Sequence, residues 1–188
     1  NQGTAWTGTT FNDASWVSDT GWFGYGDPWI TKLVNACGTV VASPSCTNKY
    51  ITTYFRKVIN IPTPSVYDSI TFNAKRDDGI VVYVNGTEVW RDVNMPSGTM
   101  TYTTVATTAL GGVDEYAVIT KSIPISSVVA GNNTIAVEVH QQAGTSSDLG
   151  FNMQAVAVKH VASPPPVPVT LSQGPYLQMG SKTAVNVR

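Results

Sequence analysis

Apolar and polar residues alternate over several short stretches of this chain, which is the pattern of strands with one buried face. No window predicts an amphipathic helix, and the longest helix-like run, residues 125–130, is too short for more than one turn. Eight or nine strands are indicated. We therefore predict an all-β fold, an antiparallel two-sheet β-sandwich. Its clearest alternating apolar positions are Ile70, Phe72, Ala74, Ile135, Val137, Val139, Leu149, Phe151, Met153, Ala155 and Ala157.

Asn85-Gly86 lies between two alternating runs and predicts a two-residue hairpin turn, because both positions of such a turn need positive φ. That turn sets the register, pairing Val82 with Val89 and Val81 with Trp90. Side chains alternate across strands, so Val82, Val84 and Val89 are predicted to face the core. Tyr83, Glu88 and Trp90 are predicted to share the other face, as an aromatic patch or beneath a covering loop.

The surface chemistry predicts an exported protein. Charged residues make up 12% of the 188 residues, against about 25% in an average globular domain, while Thr, Ser, Asn and Gly are plentiful. The net charge of −1 comes without a Lys/Arg cluster, which argues against nucleic acid as a partner. No apolar run reaches the ~18 residues of a membrane span, so we expect no membrane insertion. The chain lacks an initiator Met and starts at Asn1, as a mature or trimmed product would, so we expect a secreted or cell-surface protein although no signal peptide is visible in this sequence.

The two cysteines, Cys37 and Cys46, are separated by a loop rich in Gly, Pro, Ser and Thr. In an oxidising compartment they would form a disulfide that closes a small loop. The alternative is a pair of reduced thiols without a special role. Two cysteines without a nearby His do not make a zinc site.

The chain divides at a Pro-rich segment. Residues 1–160 form the predicted sandwich, residues 161–168 an extended, semi-rigid linker, and residues 169–188 a strand-like tail too short to bury a core alone. This tail could begin a second domain, pack on its own sandwich, or dock on the edge of a neighbouring copy. Its candidate docking residues are Leu171, Tyr176, Leu177, Val185 and Val187.

Three segments carry a family resemblance: FNDASWVSDTGWFGYGD, TYFRKVINIP with RDDGIVVYVNGTEVWRDVNMP, and GNNTIAVEVHQQAGTSSDLGFNMQAVA. Together they resemble the galactose-binding-domain-like jelly-roll modules of secreted bacterial proteins, over about residues 5–160. The tail's LSQGPYLQ resembles the first strand of the fibronectin-like domain of purple-acid-phosphatase-type metallophosphoesterases. The resemblance implies a jelly roll, sugar binding by loops at one end, and in many relatives a structural calcium. Fold alone does not select a function.

Aromatic residues near the start of the chain are the first candidate ligand site. Trp22, Phe23, Tyr25 and Trp29 fall within eight residues, and aromatic rings beside polar groups are suited to sugars. The alternative is a lid that seals one end of the sandwich, which we favour for Tyr25. A second candidate sugar-binding surface is formed by Trp90 and Tyr83. The alternative for these two rings is that they pack between sheets or between subunits.

Acidic residues supply the remaining candidates. Asp27 and Asp148 flank loops that could meet and bind calcium, or could merely cap turns. Asp77-Asp78 is expected to cap a turn, because adjacent carboxylates cannot straddle a glycosidic bond. Glu138 shares a strand face with His140 and is expected to pair with Arg56 or Arg91. No motif for a nucleophile or a required cofactor is found in the sequence.

We therefore expect a non-catalytic extracellular module that binds a glycan or cell-surface polysaccharide. One alternative is a structural subunit that assembles with copies of itself by donating its C-terminal strand, forming filaments or arrays. Another is a ligand-free spacer in front of a metallophosphoesterase.

Overall fold

The computed structural model describes residues 1–160. The predicted linker and the five docking residues of the tail lie outside this part of the chain. Nine strands are present within it: β1 (Phe23–Tyr25), β2 (Lys32–Leu33), β3 (Thr52–Ile61), β4 (Tyr67–Asp77), β5 (Gly79–Val84), β6 (Thr87–Arg91), β7 (Ile119–Pro124), β8 (Gly131–His140) and β9 (Leu149–Lys159). Short 3-10 turns occur at Ala5–Thr7, Pro64–Val66, Gly112–Glu115 and Ile125–Ser127. None of these turns, within residues 1–160, is long and apolar enough to cross a membrane.

The strands form two packed sheets. The five-stranded sheet has the order β2-β1-β9-β4-β7, and the four-stranded sheet has the order β3-β8-β5-β6. All pairs are antiparallel except β1 with β2. The predicted all-β two-sheet sandwich is therefore confirmed, and its architecture is compatible with a jelly roll.

The core lies between the inner faces of the two sheets. Ile70, Phe72 and Ala74 of β4 are at most 2% exposed, and they belong to the same apolar cluster as Val82 of β5 and Val137 of β8. Burial of each large aliphatic or aromatic side chain is worth about 1.5–3 kcal/mol. The alternation in the sequence correctly identified these positions.

The hairpin turn is present, but its register changes after two pairs. Asn85 and Gly86 have φ values of 51° and 87°, as the predicted turn requires. Tyr83 pairs with Glu88 as expected, whereas the next pair is Val82 with Trp90, because a β-bulge leaves Val89 unpaired. One extra residue reverses the alternation beyond it. The predicted pairing of Val82 with Val89 and of Val81 with Trp90 is therefore wrong.

The bulge places Trp90 in the core, where it is 9% exposed and packs in the main apolar cluster. The prediction that Trp90 shares the outer face with Tyr83 is wrong for the same reason. Tyr83 does face outward, but the N-terminal segment covers it. The Trp6 ring lies 5.8 Å from the Tyr83 ring and 4.7 Å from the Tyr54 ring, and Trp6 is 2% exposed.

The outer face of the four-stranded sheet also holds a buried polar network. The Tyr83 hydroxyl donates to Glu138 at 2.6 Å, and His140 Nδ1 lies 2.7 Å from the Thr104 carbonyl oxygen. The expected pairing of Glu138 with an arginine is wrong. Arg56 instead pairs with Asp13, and Arg91 pairs with Glu88. Both faces of β8 are covered, since every residue from Asn133 to His140 is buried.

The predicted disulfide is present and joins Cys37 to Cys46 in the segment between β2 and β3. Disulfides of this type are typical of an oxidising, extracellular environment. The same segment touches two loops of the sandwich. The Gly26 N–H donates to the Ala42 carbonyl at 2.7 Å, and the Lys49 N–H donates to the Gly144 carbonyl at 2.8 Å. The bridge therefore stiffens a segment that supports the loops at this end.

Candidate binding site

An aromatic cleft lies on the outer side of the five-stranded sheet. This aromatic cleft has a volume of about 280 Å³ and is lined by Trp22, Trp29, Lys75 and Tyr116. The Trp29 and Tyr116 rings meet nearly at right angles with their centroids 4.5 Å apart. The Lys75 ammonium lies 4.8 Å from the centroid of the Trp22 ring. Flat apolar surfaces thus lie beside one positive charge.

Local backbone bonds hold the two tryptophans in place. The Trp22 carbonyl accepts the N–H of Lys32 at 2.8 Å, and the Trp22 N–H donates to the Thr31 hydroxyl at 3.0 Å. These bonds, together with the short parallel pair of β1 and β2, close the loop that carries Trp29. A closed loop of this kind restricts the positions that Trp29 can adopt.

Strand alternation places Lys75 on the outer face of β4. Its neighbours Ala74 and Arg76 are buried, whereas Lys75 is partly exposed. The indole nitrogen of Trp29 lies 3.9 Å from where a Cβ on Gly150 of β9 would be, so Trp29 lies over the adjacent strand. Within residues 1–160, no carboxylate oxygen lies within 4.0 Å of the Lys75 ammonium, which leaves it free to donate to a ligand.

An acidic cluster adjoins this cleft in sequence. Asp27, Glu115 and Asp148 each offer a carboxylate oxygen, and these three oxygens lie within 4.8 Å of one another. Asp27 is two residues before Trp29, and Glu115 directly precedes Tyr116. Asp148 directly precedes β9. Three separate loops therefore converge, and two of them also carry rings of the aromatic cleft.

The electrostatics of the acidic cluster are unfavourable without a cation. Burial, and then the charges of Asp148 and Glu115, raise the pKa of Asp27 to about 6. Burial and the charge of Asp148 also raise the pKa of Glu115. The Oδ2 atom of Asp27 is buried and has no hydrogen-bond partner. In the described part of the chain, no Lys, Arg or His nitrogen lies within 4.0 Å of these three carboxylates.

These residues fit a calcium ion. Calcium prefers carboxylate and carbonyl oxygens and tolerates irregular geometry. Asp148 is already oriented, because its Oδ1 accepts the hydroxyls of Ser146 and Ser147 at 3.3 and 3.1 Å. A bound cation would give the orphaned oxygen of Asp27 a partner and would offset both the burial and the like charges that raise the pKa of Asp27.

A buried carboxylate braces the same end of the sandwich. Asp78 is 1% exposed, and its two oxygens accept the backbone N–H groups of Leu110 at 2.6 Å and Gln142 at 2.7 Å. The expectation that Asp77-Asp78 merely caps its own turn is therefore wrong, since Asp78 joins loops far apart in sequence. Burial, and then a hydrogen bond with Asp78, raise the pKa of Asp77 to about 9.

The structure separates the predicted ligand residues. Trp22 and Trp29 lie together in the aromatic cleft, each partly buried. Phe23 is partly buried and its ring lies tilted against that of Phe55 with centroids 5.4 Å apart, whereas Tyr25 is 1% exposed and belongs to the core, so neither ring lines the aromatic cleft. Trp90 and Tyr83 are on the other sheet, as described above.

Three site residues were missed by sequence reasoning: Lys75, Glu115 and Tyr116. Lys75 is an ordinary polar residue in the alternating pattern of β4, and Glu115-Tyr116 lies in a loop without periodicity. Neither segment therefore contains a sequence feature that indicates a binding site. Asp27 and Asp148 do meet, as the calcium interpretation of the sequence required. The structure adds Glu115 as a third carboxylate.

A second cleft, of about 410 Å³, lies over the four-stranded sheet and is lined by Asn1, Gln2, Tyr50, Thr52, Tyr54 and Tyr102. Although it is larger, none of its lining side chains is charged. We therefore base the functional argument on the aromatic cleft.

No protein-family model matches the chain, and no curated protein matches its sequence. The likeness to galactose-binding-like modules thus rests on the sequence motifs, while the sandwich itself rests on the structure.

Proposed function

We propose that this chain is a non-catalytic extracellular module that binds a glycan or cell-surface polysaccharide in the aromatic cleft. The observation that carries this proposal is the grouping of Trp22, Trp29 and Tyr116 around the Lys75 ammonium group. Sugar C–H faces pack on aromatic rings, while hydroxyl groups need directed hydrogen bonds. Lys75 supplies a donor, and the Trp22 and Trp29 rings supply the faces.

The size of the cleft limits the ligand. A volume of about 280 Å³ is slightly below the ~300–1,000 Å³ that small-molecule sites occupy. We therefore expect a short part of a glycan to be bound, rather than a long stretch of polysaccharide.

A calcium ion in the acidic cluster is the second part of the proposal. Asp27, Glu115 and Asp148 would hold the ion, which would supply positive charge to three converging loops. Because Trp29 and Tyr116 follow two of these ligands closely, the ion would help to hold the cleft in shape. The disulfide and the sparsely charged surface support a secreted or cell-surface location.

Binding to a panel of polysaccharides tests the proposal, with affinity electrophoresis for soluble polymers and a glycan array for oligosaccharides. Trp29→Ala and Trp22→Ala should each weaken binding at least about fivefold, since a stacked ring contributes on the order of 1 kcal/mol beyond its area. The matched control is Trp16→Ala. Trp16 is a partly buried tryptophan that packs on Phe11, away from the cleft, at 5.7 Å between centroids.

Two results would reject glycan binding. The first is a wild-type chain that binds no member of the panel with or without calcium, which is what a ligand-free spacer predicts. The second is a loss of binding in Trp16→Ala that equals the loss in the two cleft variants, because that loss would reflect general destabilisation. Melting temperatures of all three variants distinguish a local loss of contact from unfolding.

A further inference from the structure

In the five-stranded sheet, strand β9 is paired along only part of the edge that faces β1. β9 lies between β1 and β4, but β1 pairs with its first three residues alone, Leu149, Gly150 and Phe151. Within residues 1–160, no strand pairs with that edge from Asn152 to Lys159, which we call the open edge of β9. Eight residues of strand amount to about 26 Å of unpaired backbone.

From Gln154 to Val158 the open edge is exposed, and four of these five residues are apolar. Val156 and Val158 are 41% and 42% exposed on the outer face. Ala155 and Ala157 pair with Phe72 and Ile70, so they lie on the inner face, yet both are exposed. β9 has no charged residue before Lys159 and no proline. Small inner-face residues that remain exposed leave room for larger apolar side chains.

The other edges of the two sheets are protected. β7 contains Lys121 and Pro124, β3 contains Lys57 at an exposed position, and β2 is only two residues long. β6 carries a charged pair, Glu88 with Arg91. Short length, charge and proline are the usual means of preventing strand addition. From Asn152 to Val158 the open edge of β9 has no charge and no proline, and its one charged residue is Lys159 at the end, so this stretch is suited to pairing with another strand.

We propose that the open edge of β9 accepts residues 169–173 of a second copy of this chain. The segment reads VTLSQ, which alternates, carries no charge, and is followed by Gly174-Pro175, where pairing must end. Val169 and Leu171 would share one face and pack over Ala155 and Ala157. This is strand addition, in which backbone bonds supply affinity and alternate side chains supply fit.

The chain that follows β9 favours donation to a neighbour over a return to the same sheet. Four of the eight linker residues 161–168 are prolines, and a Pro-rich linker is extended at about 3.1 Å per residue. An extended segment of that length and composition spans about 25 Å, and its prolines disfavour the tight hairpin turn that would be needed to pair with the edge of the preceding strand. Donation in one direction from each copy to the next is heterologous and does not close, so it produces chains or filaments.

The test uses the full-length chain and one variant on each side of the contact. Ala157→Lys places a charge on the inner face of the open edge at an exposed position. Leu171→Asp places a charge in the donated segment. The matched control is Val58→Lys on β3, where the valine is 49% exposed and already neighbours Lys57. Light scattering after size exclusion and negative-stain microscopy measure assembly as concentration rises.

Wild type and Val58→Lys should form concentration-dependent oligomers or filaments, and Ala157→Lys and Leu171→Asp should each remain monomeric with a cooperative thermal transition near that of wild type. An equimolar mixture of the two monomeric variants should form dimers that do not grow, because one retains the donor and the other retains the acceptor. A wild type that stays monomeric at every concentration overturns the proposal. Assembly that survives Ala157→Lys, or a mixture that stays monomeric, overturns it equally. None of these results depends on whether a glycan binds in the aromatic cleft.

Discussion

Lowering the pH from about 7.5 to about 5 should weaken calcium binding to the acidic cluster about tenfold, because the ion must displace a proton. The pKa of Asp27 is raised to about 6, so this carboxyl is about 3% protonated at the higher pH and about 90% protonated at the lower one. The resulting change is about 1.4 kcal/mol from Asp27 alone. The raised pKa of Glu115 acts in the same direction. Isothermal titration calorimetry of the chelator-treated chain with calcium chloride at both pH values measures the change in calcium affinity.

Two variants sharpen this experiment. Asp27→Asn should bind calcium more weakly and should lose most of the pH dependence, because the titrating ligand has been removed. Asp19→Asn is the matched control, since Asp19 is an exposed carboxylate that pairs with Lys32. A dissociation constant that changes less than about threefold between the two pH values would refute the reasoning. So would an Asp27→Asn chain that keeps the full dependence.

The same raised pKa has a consequence for stability. In the absence of calcium, the folded chain holds the Asp27 proton more tightly than the unfolded chain, whose aspartates titrate near pH 4. Stability from this group is therefore present at low pH and is lost as the pH rises from about 4 to about 6. Added calcium should reverse this loss above about pH 6, which melting curves with calcium or chelator would show.

Three further changes test the scaffold. Replacing both Cys37 and Cys46 by Ser should lower the free energy of unfolding by about 2–3 kcal/mol, as urea denaturation measures, because the bridge closes a short loop with a separation of 9; an unchanged midpoint would contradict this. Phe72→Ala, at a fully buried position, should cost about 3–5 kcal/mol with an unchanged denaturant slope, and a cost below about 1 kcal/mol would show that the site is not core. Asp78→Asn should cost about 2–4 kcal/mol, since one backbone N–H loses its charged acceptor. Hydrogen exchange should then accelerate in the two loops that Asp78 joins, and unchanged exchange would argue against that role.

Local patterns in the sequence predicted most of the sandwich. The alternation at Phe72 and Val137 identified the core, because strand side chains point to opposite faces at every second residue. Asn85-Gly86 identified the hairpin, because few residue pairs tolerate two positive φ values. The bulge at Val89 escaped prediction, since a single extra residue leaves no mark in the composition, and it moved Trp90 from the expected surface to the core.

The candidate site was predictable only in part. Trp22 and Trp29 were recognisable as an aromatic group, and Asp27 with Asp148 as possible calcium ligands. Their companions were not, because Lys75, Glu115 and Tyr116 come from β4 and from the loop before β7. Nothing local to those residues indicates that they face the loop between β1 and β2.

By itself, the order of apolar and polar residues determined that this chain forms strands, where its first hairpin turns, and most of the side chains that are buried between the two layers. These properties depend on neighbouring residues, and local chain geometry decides them. Only the tertiary structure decided which loops meet, which outer face is covered, and which stretch of β9 lacks a partner among residues 1–160. Those outcomes depend on the order of strands within each sheet, which brings together residues that are far apart in the chain.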